Sequence, residues 1–210
     1  MTPSTSVIQT YFERNYRCVF WPAVGDSKGP NAEGWQRKVY TIADYREGYR
    51  VGILTGTEVA QGRWLHDVDV DWAPGSLIAQ ALLPATSFVF GRPSKHVSHC
   101  FYTTSEPIAS YKYEDVDKTC LIELRGTKLD GGIGLQTMAP PSIWTKGTQR
   151  EPLTFVKFEA PSHVEAPSLL KQRVCLSAIG MLLAKHFGKN GFGHDPRLCW
   201  AGFLLRAGIG

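Results

Sequence analysis

Three carboxylates alternate with two valines in the segment Asp67-Val68-Asp69-Val70-Asp71. In an extended strand every second side chain points to the same face, roughly 6.5 Å apart, so the three aspartates would share one face. Carboxylates gathered on one face repel one another unless cations neutralise them, and Mg²⁺ binds a few carboxylates together with water and phosphate oxygens. The segment therefore predicts a site where a hard divalent cation acts on phosphates.

Two other interpretations of the acidic segment stay open at this point. Asp-x-Asp-x-Asp also begins the calcium loop of an EF-hand, but Trp72 replaces the required glycine and Ile78 replaces the closing glutamate. Alternating aspartate and valine is, in addition, ordinary patterning for a sheet face in contact with water. The choice between a metal site and a solvated face depends on which residues accompany the aspartates.

A basic segment at 91–99 is predicted to be a loop between two strands. It combines two fixed cations, two imidazoles and two hydroxyls, which neutralise phosphate charge and donate hydrogen bonds to oxyanions. Nothing in the chain has the glycine and lysine spacing of a P-loop, so a nucleotide would be bound by this segment instead. A basic surface turn is the alternative. On the first interpretation, the nucleotide-binding residues are Arg92, Ser94, Lys95, Ser98 and His99.

A second acidic strand is predicted at 120–125, where Glu123 interrupts an apolar run and Arg125 shares its face two residues on. One interpretation is a buried ion pair. The other makes Glu123 a metal ligand and directs Arg125 at a phosphate. Acidic strand, basic segment and second acidic strand together indicate phosphoryl chemistry, in which two metal ions activate a hydroxyl and stabilise the leaving pyrophosphate.

Hydrophobic periodicity and turn residues place these segments in an α/β (α+β) fold with a mixed, largely antiparallel sheet. Helices are predicted at 6–14, 75–83, 168–187 and 196–207. Strands are predicted at 17–22, 51–56, 64–70, 86–91, 99–104, 120–125, 133–139 and 153–158. Because the pattern turns helical after Pro161 and Pro167, we predict a catalytic domain at 1–164 and a small C-terminal helical appendage at 165–210.

Taken together, these motifs resemble the bifunctional primase-polymerase domain of the archaeo-eukaryotic primase superfamily, found in phage and plasmid replication proteins. The resemblance covers most of the chain, and its most specific part is Ile122–Gly126 followed by Gln136–Ile143. The acidic segment is similar to the first catalytic motif of that family, and Ser98-His99 is similar to its second, nucleotide-binding motif. Two further similarities are Lys28-Gly-Pro30 with Gly34-Trp35, and Val51–Gly56.

The resemblance implies an RRM-like catalytic half that synthesises primers on a single-stranded DNA template and extends them from nucleoside triphosphates. It implies two divalent ions, Mg²⁺ or Mn²⁺, and makes Arg125 a nucleotide contact. The metal-binding pair of aspartates is either Asp67 with Asp69 or Asp69 with Asp71, and we favour His99 over His96 as the motif histidine. The residues assigned to catalysis are Asp67, Asp69, Asp71, His99 and Glu123, of which the four acids would also hold the metal.

Two rival functions are weighed against this one. A metal-dependent replication-initiator endonuclease cuts DNA through a tyrosine and carries two histidines one residue apart. The nearest histidine pair here is His96 and His99, and the tyrosine would be Tyr111 or Tyr113. A non-catalytic single-stranded DNA binding module would use stacking aromatics and a cationic face. Three aspartates on one face argue against the binding module.

The composition is that of an ordinary folded protein, with 43% hydrophobic and 20% charged residues. With no apolar run of about 18 residues and no signal peptide, we predict a cytoplasmic protein of a bacterial or archaeal host, without a membrane partner. Five cysteines without a C-x-x-C pair predict free thiols.

The net charge is +4, and the segment from Glu165 carries six Lys/Arg against two acids. The pattern at 194–208 resembles the helical linker before a helicase, so we expect a helicase region in a longer chain.

Overall fold

The strand that carries the aspartates runs through the middle of the largest sheet in the molecule. The computed structural model describes residues 2–31, 33–133 and 135–187. Its helices are α1 (Pro3–Glu13), α2 (Ser76–Leu82) and α3 (Pro167–Phe187), and two short 3₁₀ helices lie at Ile42–Asp44 and Ala73–Gly75. Its strands are β1 (Cys18–Trp21), β2 (Arg50–Leu54), β3 (Thr57–Ala60), β4 (Arg63–Val70), β5 (Phe88–Arg92), β6 (Lys95–Thr104), β7 (Tyr111–Glu114), β8 (Cys120–Arg125), β9 (Gln136–Ala139), β10 (Ile143–Lys146), β11 (Gln149–Pro152), β12 (Thr154–Phe158) and β13 (Ser162–Val164).

Strand β4 lies between β6 and β8, and both neighbours run antiparallel to it. The large sheet has the strand order β12-β5-β6-β4-β8-β7, while β3 pairs with β4 and β13 adds to β6 in parallel. Residues directly opposite each other in antiparallel strands lie side by side on one face. Asp69 lies opposite both His99 on β6 and Glu123 on β8, so the pairing brings the three sequence motifs together.

One face of the large sheet, which carries the valines of β4, is covered by α2 and α3. Val68 and Val70 are fully buried there, in a core that also contains Leu170 and Met181 of α3. Helix α3 keeps its buried residues on one side because they recur at intervals of three or four positions. Helix α3 therefore completes the core of the large sheet, and the division of the chain at residue 164 stays a prediction.

The opposite face of the large sheet carries the aspartates and packs against a second layer. This layer consists of α1 and a three-stranded antiparallel sheet with the order β1-β2-β9. Aromatic rings fill the space between the layers, and Phe88 and Phe101 stack there with ring centroids 4.6 Å apart. The second layer leaves the aspartates at different depths, because Asp67 and Asp69 are buried whereas Asp71, just after β4, is exposed.

The mixed α/β fold with mostly antiparallel sheets and a C-terminal helix is confirmed. Five short strands, β3, β7, β10, β11 and β13, are absent from the sequence-based prediction. The loop predicted at 91–99 is wrong, because β5 continues to Arg92 and β6 already begins at Lys95. These two residues pair across a two-residue turn, which makes most of the basic segment strand. The helix predicted at 196–207 lies outside the described residues.

Two predictions from composition can be compared with the fold. The four cysteines among the described residues, Cys18, Cys100, Cys120 and Cys175, are free thiols, as predicted. Within the same residues, no helix combines the length and the apolar composition that crossing a membrane requires.

The packing of α3 predicts a difference between two neighbouring leucines. Leu170 is fully buried, whereas Leu169 is 39% exposed. Truncating a buried leucine removes apolar contacts and leaves a cavity, which costs about 2 to 5 kcal/mol. Leu170→Ala should lower the free energy of unfolding by that amount in urea denaturation, and Leu169→Ala should lower it by less than about 1 kcal/mol. Equal effects of the two substitutions would contradict the placement of α3.

Candidate functional site

Three carboxylates meet where β4 ends. Asp69 on β4, Asp71 just after it and Glu123 on β8 each offer a side-chain oxygen within 4.8 Å of the others. The antiparallel register produces this carboxylate cluster, because Glu123 lies directly opposite Asp69 and Asp71 is the next same-face residue. Since Asp67 and Asp69 are both buried, the alternative of a solvated sheet face is wrong for these two residues.

Arg125 on β8 neutralises part of the carboxylate cluster. Its Nη2 lies 2.8 Å from Oδ2 of Asp69, and its Nε donates to Oε2 of Glu123 at 2.8 Å. The guanidinium therefore bridges two adjacent strands and holds both carboxylates in place. Both interpretations of the second acidic strand meet in this geometry, since Glu123 and Arg125 form an ion pair and Glu123 also belongs to the cluster.

Lys95 supplies a second cation to the cluster. Its Nζ lies 3.7 Å from Oδ1 of Asp69 and 3.4 Å from Oδ1 of Asp71. The tight turn between β5 and β6, with a change of register between Phe90 and Arg92, brings this lysine to the carboxylates. Both separations exceed the usual 2.7 to 3.2 Å of an N–H···O hydrogen bond, so charge attraction contributes more than hydrogen bonding.

Asp67 has a different environment from the other two aspartates. Its carboxylate is completely buried, and its Oδ2 accepts hydrogen bonds from Oγ1 of Thr137 at 2.7 Å and from Nδ1 of His99 at 2.9 Å. The structure therefore does not bring Asp67 into the carboxylate cluster, although the sequence predicts it as a metal ligand. Of the two aspartate pairs that the sequence leaves open, the geometry favours Asp69 with Asp71.

His99 is held in one orientation by two neighbours. Its Nδ1 donates to the Asp67 carboxylate, and its ring stacks on Phe90 with centroids 4.8 Å apart. A hydrogen bond through Nδ1 leaves Nε2, on the other side of the ring, to contact a ligand. His99 lines the cleft beside the carboxylates, whereas His96 is exposed and is not among the cleft residues. Of the two histidines, His99 is the one that the structure places beside the carboxylates.

A cleft of about 490 Å³ opens beside the carboxylate cluster. Ser94 is the one predicted nucleotide-binding residue that does not line it. Ser94 is exposed, and its backbone N–H donates to Glu151 at 2.8 Å. The predicted residues that do line the cleft are Asp69, Asp71, Arg92, Lys95, Ser98, His99, Glu123 and Arg125.

The cleft also contains residues that the sequence analysis did not assign to the site. Trp144 and Lys146 lie on β10, and the Arg92 guanidinium carbon stands 3.8 Å from the centroid of the Trp144 ring. Lys28 and Gln136 line the cleft as well. The local signal for this hairpin is Gly147, which has a positive φ of 58° at the turn between β10 and β11.

Burial and charge act in opposite directions on Asp69. Burial on its own would raise the pKa of this carboxyl, but the nearby His99, Arg125 and Lys95 outweigh it and lower the pKa to about 2. Burial likewise opposes the charge of Arg125, yet the surrounding carboxylates raise its pKa above the usual value. Asp69 therefore stays ionised throughout the neutral range, which binding of a cation requires.

The donor set of the carboxylate cluster fits a hard divalent cation. Oδ1 of Asp69 is buried and has no hydrogen-bond partner in the described part of the chain. A buried carboxylate oxygen without a donor is costly, and a bound cation would compensate it. Mg²⁺ and Mn²⁺ both prefer such oxygen ligands. Asp69, Asp71 and Glu123 could together hold one ion.

A close backbone approach explains the glycine that follows Arg125. A Cβ at Gly126 would lie 1.9 Å from the carbonyl oxygen of Ile108, which no side chain tolerates. The N–H of Gly126 also donates to Oγ of Ser110 at 2.9 Å. Gly126 therefore allows the segment before β7 to pack against the end of β8, and it has a packing role beside the site.

Comparison with known proteins provides no family for this chain. A scan against protein-family models finds no match, and a search of the curated proteins finds no match either. The resemblance to primase-polymerase domains rests on the motifs themselves and stays a prediction.

Thr137→Val tests how Asp67 is supported. This substitution removes a donor from a completely buried carboxylate, and hydrogen bonds to charged groups contribute about 1.5 to 3 kcal/mol. Thr57→Val is a matched control, because the Thr57 hydroxyl donates to the neutral carbonyl of Leu54 at 3.1 Å. Urea denaturation should show a loss of about 2 kcal/mol for Thr137→Val and about 1 kcal/mol for Thr57→Val. The reverse order would contradict the assigned hydrogen bond.

The low pKa of Asp69 predicts how stability depends on pH. Its folded-state pKa of about 2 lies below the ordinary 3.8, so the unfolded chain binds this proton more tightly. The ionised carboxylate therefore stabilises the fold above about pH 4, by an amount on the order of 2 kcal/mol that is lost as the pH falls from 4 to 2. In urea denaturation, Asp69→Asn should remove this part of the pH dependence, and the exposed Asp130→Asn should retain it. Identical pH profiles of wild type and Asp69→Asn would refute the assignment.

Proposed function

We propose that this chain is a DNA primase and DNA polymerase of the primase-polymerase type, which transfers nucleotides from nucleoside triphosphates on a single-stranded DNA template. One observation carries the proposal: the carboxylate cluster and five basic side chains line the same cleft of about 490 Å³. Carboxylates bind divalent cations, basic side chains bind phosphates, and a cleft of this size accommodates a nucleotide. A central antiparallel sheet covered by helices on one face also suits an RRM-like catalytic half.

A divalent cation, Mg²⁺ or Mn²⁺, would be held by Asp69, Asp71 and Glu123. When bound, it supplies Lewis-acid chemistry that favours ionisation of the attacking hydroxyl and stabilises negative charge on the phosphates. The family resemblance implies two such ions. Asp67 would act on the site through His99, because its own carboxylate is buried and lies outside the cluster.

The chain's own residues bind and orient the triphosphate in this proposal. Arg125 holds Asp69 and Glu123 in place through its two short contacts. Arg92 and Lys95 neutralise phosphate charge, while Ser98 and the Nε2 side of His99 contact phosphate oxygens. Such fixed contacts position the α-phosphate for attack by the terminal hydroxyl of the primer.

Two further lysines, Lys28 and Lys146, also line the cleft. In the proposal they neutralise the phosphodiester backbone of the single-stranded DNA template, and binding of that template should weaken as salt is added. A helicase region in the same longer chain, which the resemblance implies, would supply the template strand.

The positions of the tyrosines weigh against a replication-initiator endonuclease. Tyr111 and Tyr113 lie on the edge strand β7 and line a separate cavity of about 270 Å³. A tyrosine nucleophile must reach the phosphate that the metal centre binds, and these two do not line the cleft with the carboxylates. A single-strand binding module would account for the basic side chains, but it leaves the buried carboxylates without a role.

Incorporation of labelled nucleotides on unprimed and primed single-stranded templates tests the proposal. Wild type should extend strands with Mg²⁺ or Mn²⁺. The incorporation rate of Asp69→Asn and Glu123→Gln should be at least about a hundredfold lower. Removing a metal ligand has a larger effect than the 10- to 100-fold loss caused by removing a supporting residue. Glu114→Gln removes a strand glutamate that pairs with Lys112 at 2.6 Å and should keep full activity. Circular dichroism checks that each variant folds.

Three outcomes would redirect the assignment. Incorporation by Asp69→Asn at the wild-type rate would show that the carboxylate cluster takes no part in the reaction. DNA binding that is indifferent to Mg²⁺, without any incorporation, would identify a single-strand binding module. Cleavage of the DNA with covalent attachment to a tyrosine would identify an initiator endonuclease.

A further inference from the structure

Lys95 places a positive charge inside the candidate metal centre. Its side chain is only 10% exposed, and its Nζ stands between the carboxylates of Asp69 and Asp71, at 3.7 Å and 3.4 Å. Lysine is almost never this buried without a paired carboxylate. Lys95 is therefore a counter-ion of the cluster.

Two fixed cations, Arg125 and Lys95, neutralise the cluster, and they are held with different strength. Arg125 contacts Asp69 and Glu123 at 2.8 Å each, which is the distance of a strong charge-assisted hydrogen bond. Both contacts of Lys95 are at least 3.4 Å long. Arg125 also has a planar group matched to two carboxylates, whereas lysine carries a point charge on a flexible stem. Lys95 is the cation that can leave.

The oxygen that Lys95 neutralises is the one left over for a metal ion. Arg125 occupies Oδ2 of Asp69, and Oδ1 has no hydrogen-bond partner in the described residues. Nζ of Lys95 and Nδ1 of His99 each stand 3.7 Å away from Oδ1. A divalent ion would bind this oxygen at about 2.1 Å. An ion and an ammonium group that both stand next to this oxygen are close enough to repel each other strongly. Both therefore cannot hold these positions together.

Resting on the proposed function, we propose that Lys95 is a resident counter-ion that a divalent cation displaces and that then binds the phosphates of the nucleotide. Its flexible stem begins at the turn beside Arg92, and both residues line the cleft in which the triphosphate would lie. Once the cation has taken over the carboxylates, the phosphates are the negative groups within reach. Cation and triphosphate binding are then coupled through one side chain, and the coupling is reciprocal.

This mechanism requires opposite effects of one substitution on two ligands. Without Lys95, a cation no longer competes with an ammonium group, so its affinity rises. The triphosphate loses one cationic contact, so its affinity falls. A lysine that only stabilises the fold would change neither affinity, and a lysine that only binds phosphate would change one of them.

Binding of Mn²⁺ alone, followed by the electron paramagnetic resonance signal of the free ion, tests the displacement. Lys95→Met should bind Mn²⁺ at least about threefold more tightly than wild type, because the local repulsion is gone. Lys146→Met removes the same charge from the same cleft without touching the cluster, and it should change Mn²⁺ affinity by less than about twofold. Asp69→Asn should abolish binding at this site. Lys95→Gln provides a second variant if the methionine variant does not fold.

Binding of inorganic triphosphate in the presence of Mn²⁺ tests the second part of the proposal, that the displaced Lys95 binds the phosphates. At equal Mn²⁺ concentration, Lys95→Met should bind inorganic triphosphate at least about fivefold more weakly than wild type. Equal Mn²⁺ keeps the complexation of triphosphate by free Mn²⁺ the same in both measurements. Equal or weaker Mn²⁺ binding by Lys95→Met and Lys95→Gln would overturn the displacement and leave the proposed function standing. Absence of Mn²⁺ binding to every variant and to wild type would overturn both proposals.

Discussion

Two carboxylates on adjacent strands, one buried and one partly buried, stay side by side only if a cation compensates them, and Arg125 does so at the centre of the large sheet. Its guanidinium contacts Asp69 and Glu123 at 2.8 Å each, so the ion pairs join the same two strands that the backbone ladder joins. Buried charges are tolerated when partners and geometry are good, and removing one partner is strongly destabilising. The carboxylate cluster, the place of Lys95 and the electrostatics of the cleft all depend on this arrangement.

The three aspartates at 67–71 share a face but have different environments because they differ in depth. Asp67 lies beneath the second layer, where Thr137 and His99 occupy its carboxylate. Asp69 is buried but lines the cleft, and Asp71 is exposed just after the strand. One alternating motif therefore provides a residue that orients a histidine and two residues that can hold a cation. The depth of each position, set by the layer above it, decides which role its carboxylate takes.

Local pattern predicts much of this site, and long-range packing decides the rest. The alternation at 67–71 predicts the shared face of the three aspartates, because side chains in a strand alternate with a period of two. The burial of Asp67 depends on Thr137, which lies 70 positions away along the chain, and no local pattern shows that contact. The basic segment at 91–99 forms strand instead of loop because pairing of Arg92 with Lys95 outweighs its polar composition. Trp144 reaches the cleft on a hairpin, and the position of that hairpin also depends on contacts between residues far apart in the sequence.

The central claim of this account is that the carboxylate cluster binds a divalent cation at the head of a phosphate-binding cleft. The most direct test is a crystal structure of the protein soaked in Mn²⁺, with the ion located by its anomalous scattering. The account predicts one strong peak bound by Asp69, Asp71 and Glu123, with Arg125 unmoved and the Lys95 amine turned away from the carboxylates. A cluster without a Mn²⁺ peak, while Lys95 keeps its place between Asp69 and Asp71, would contradict it.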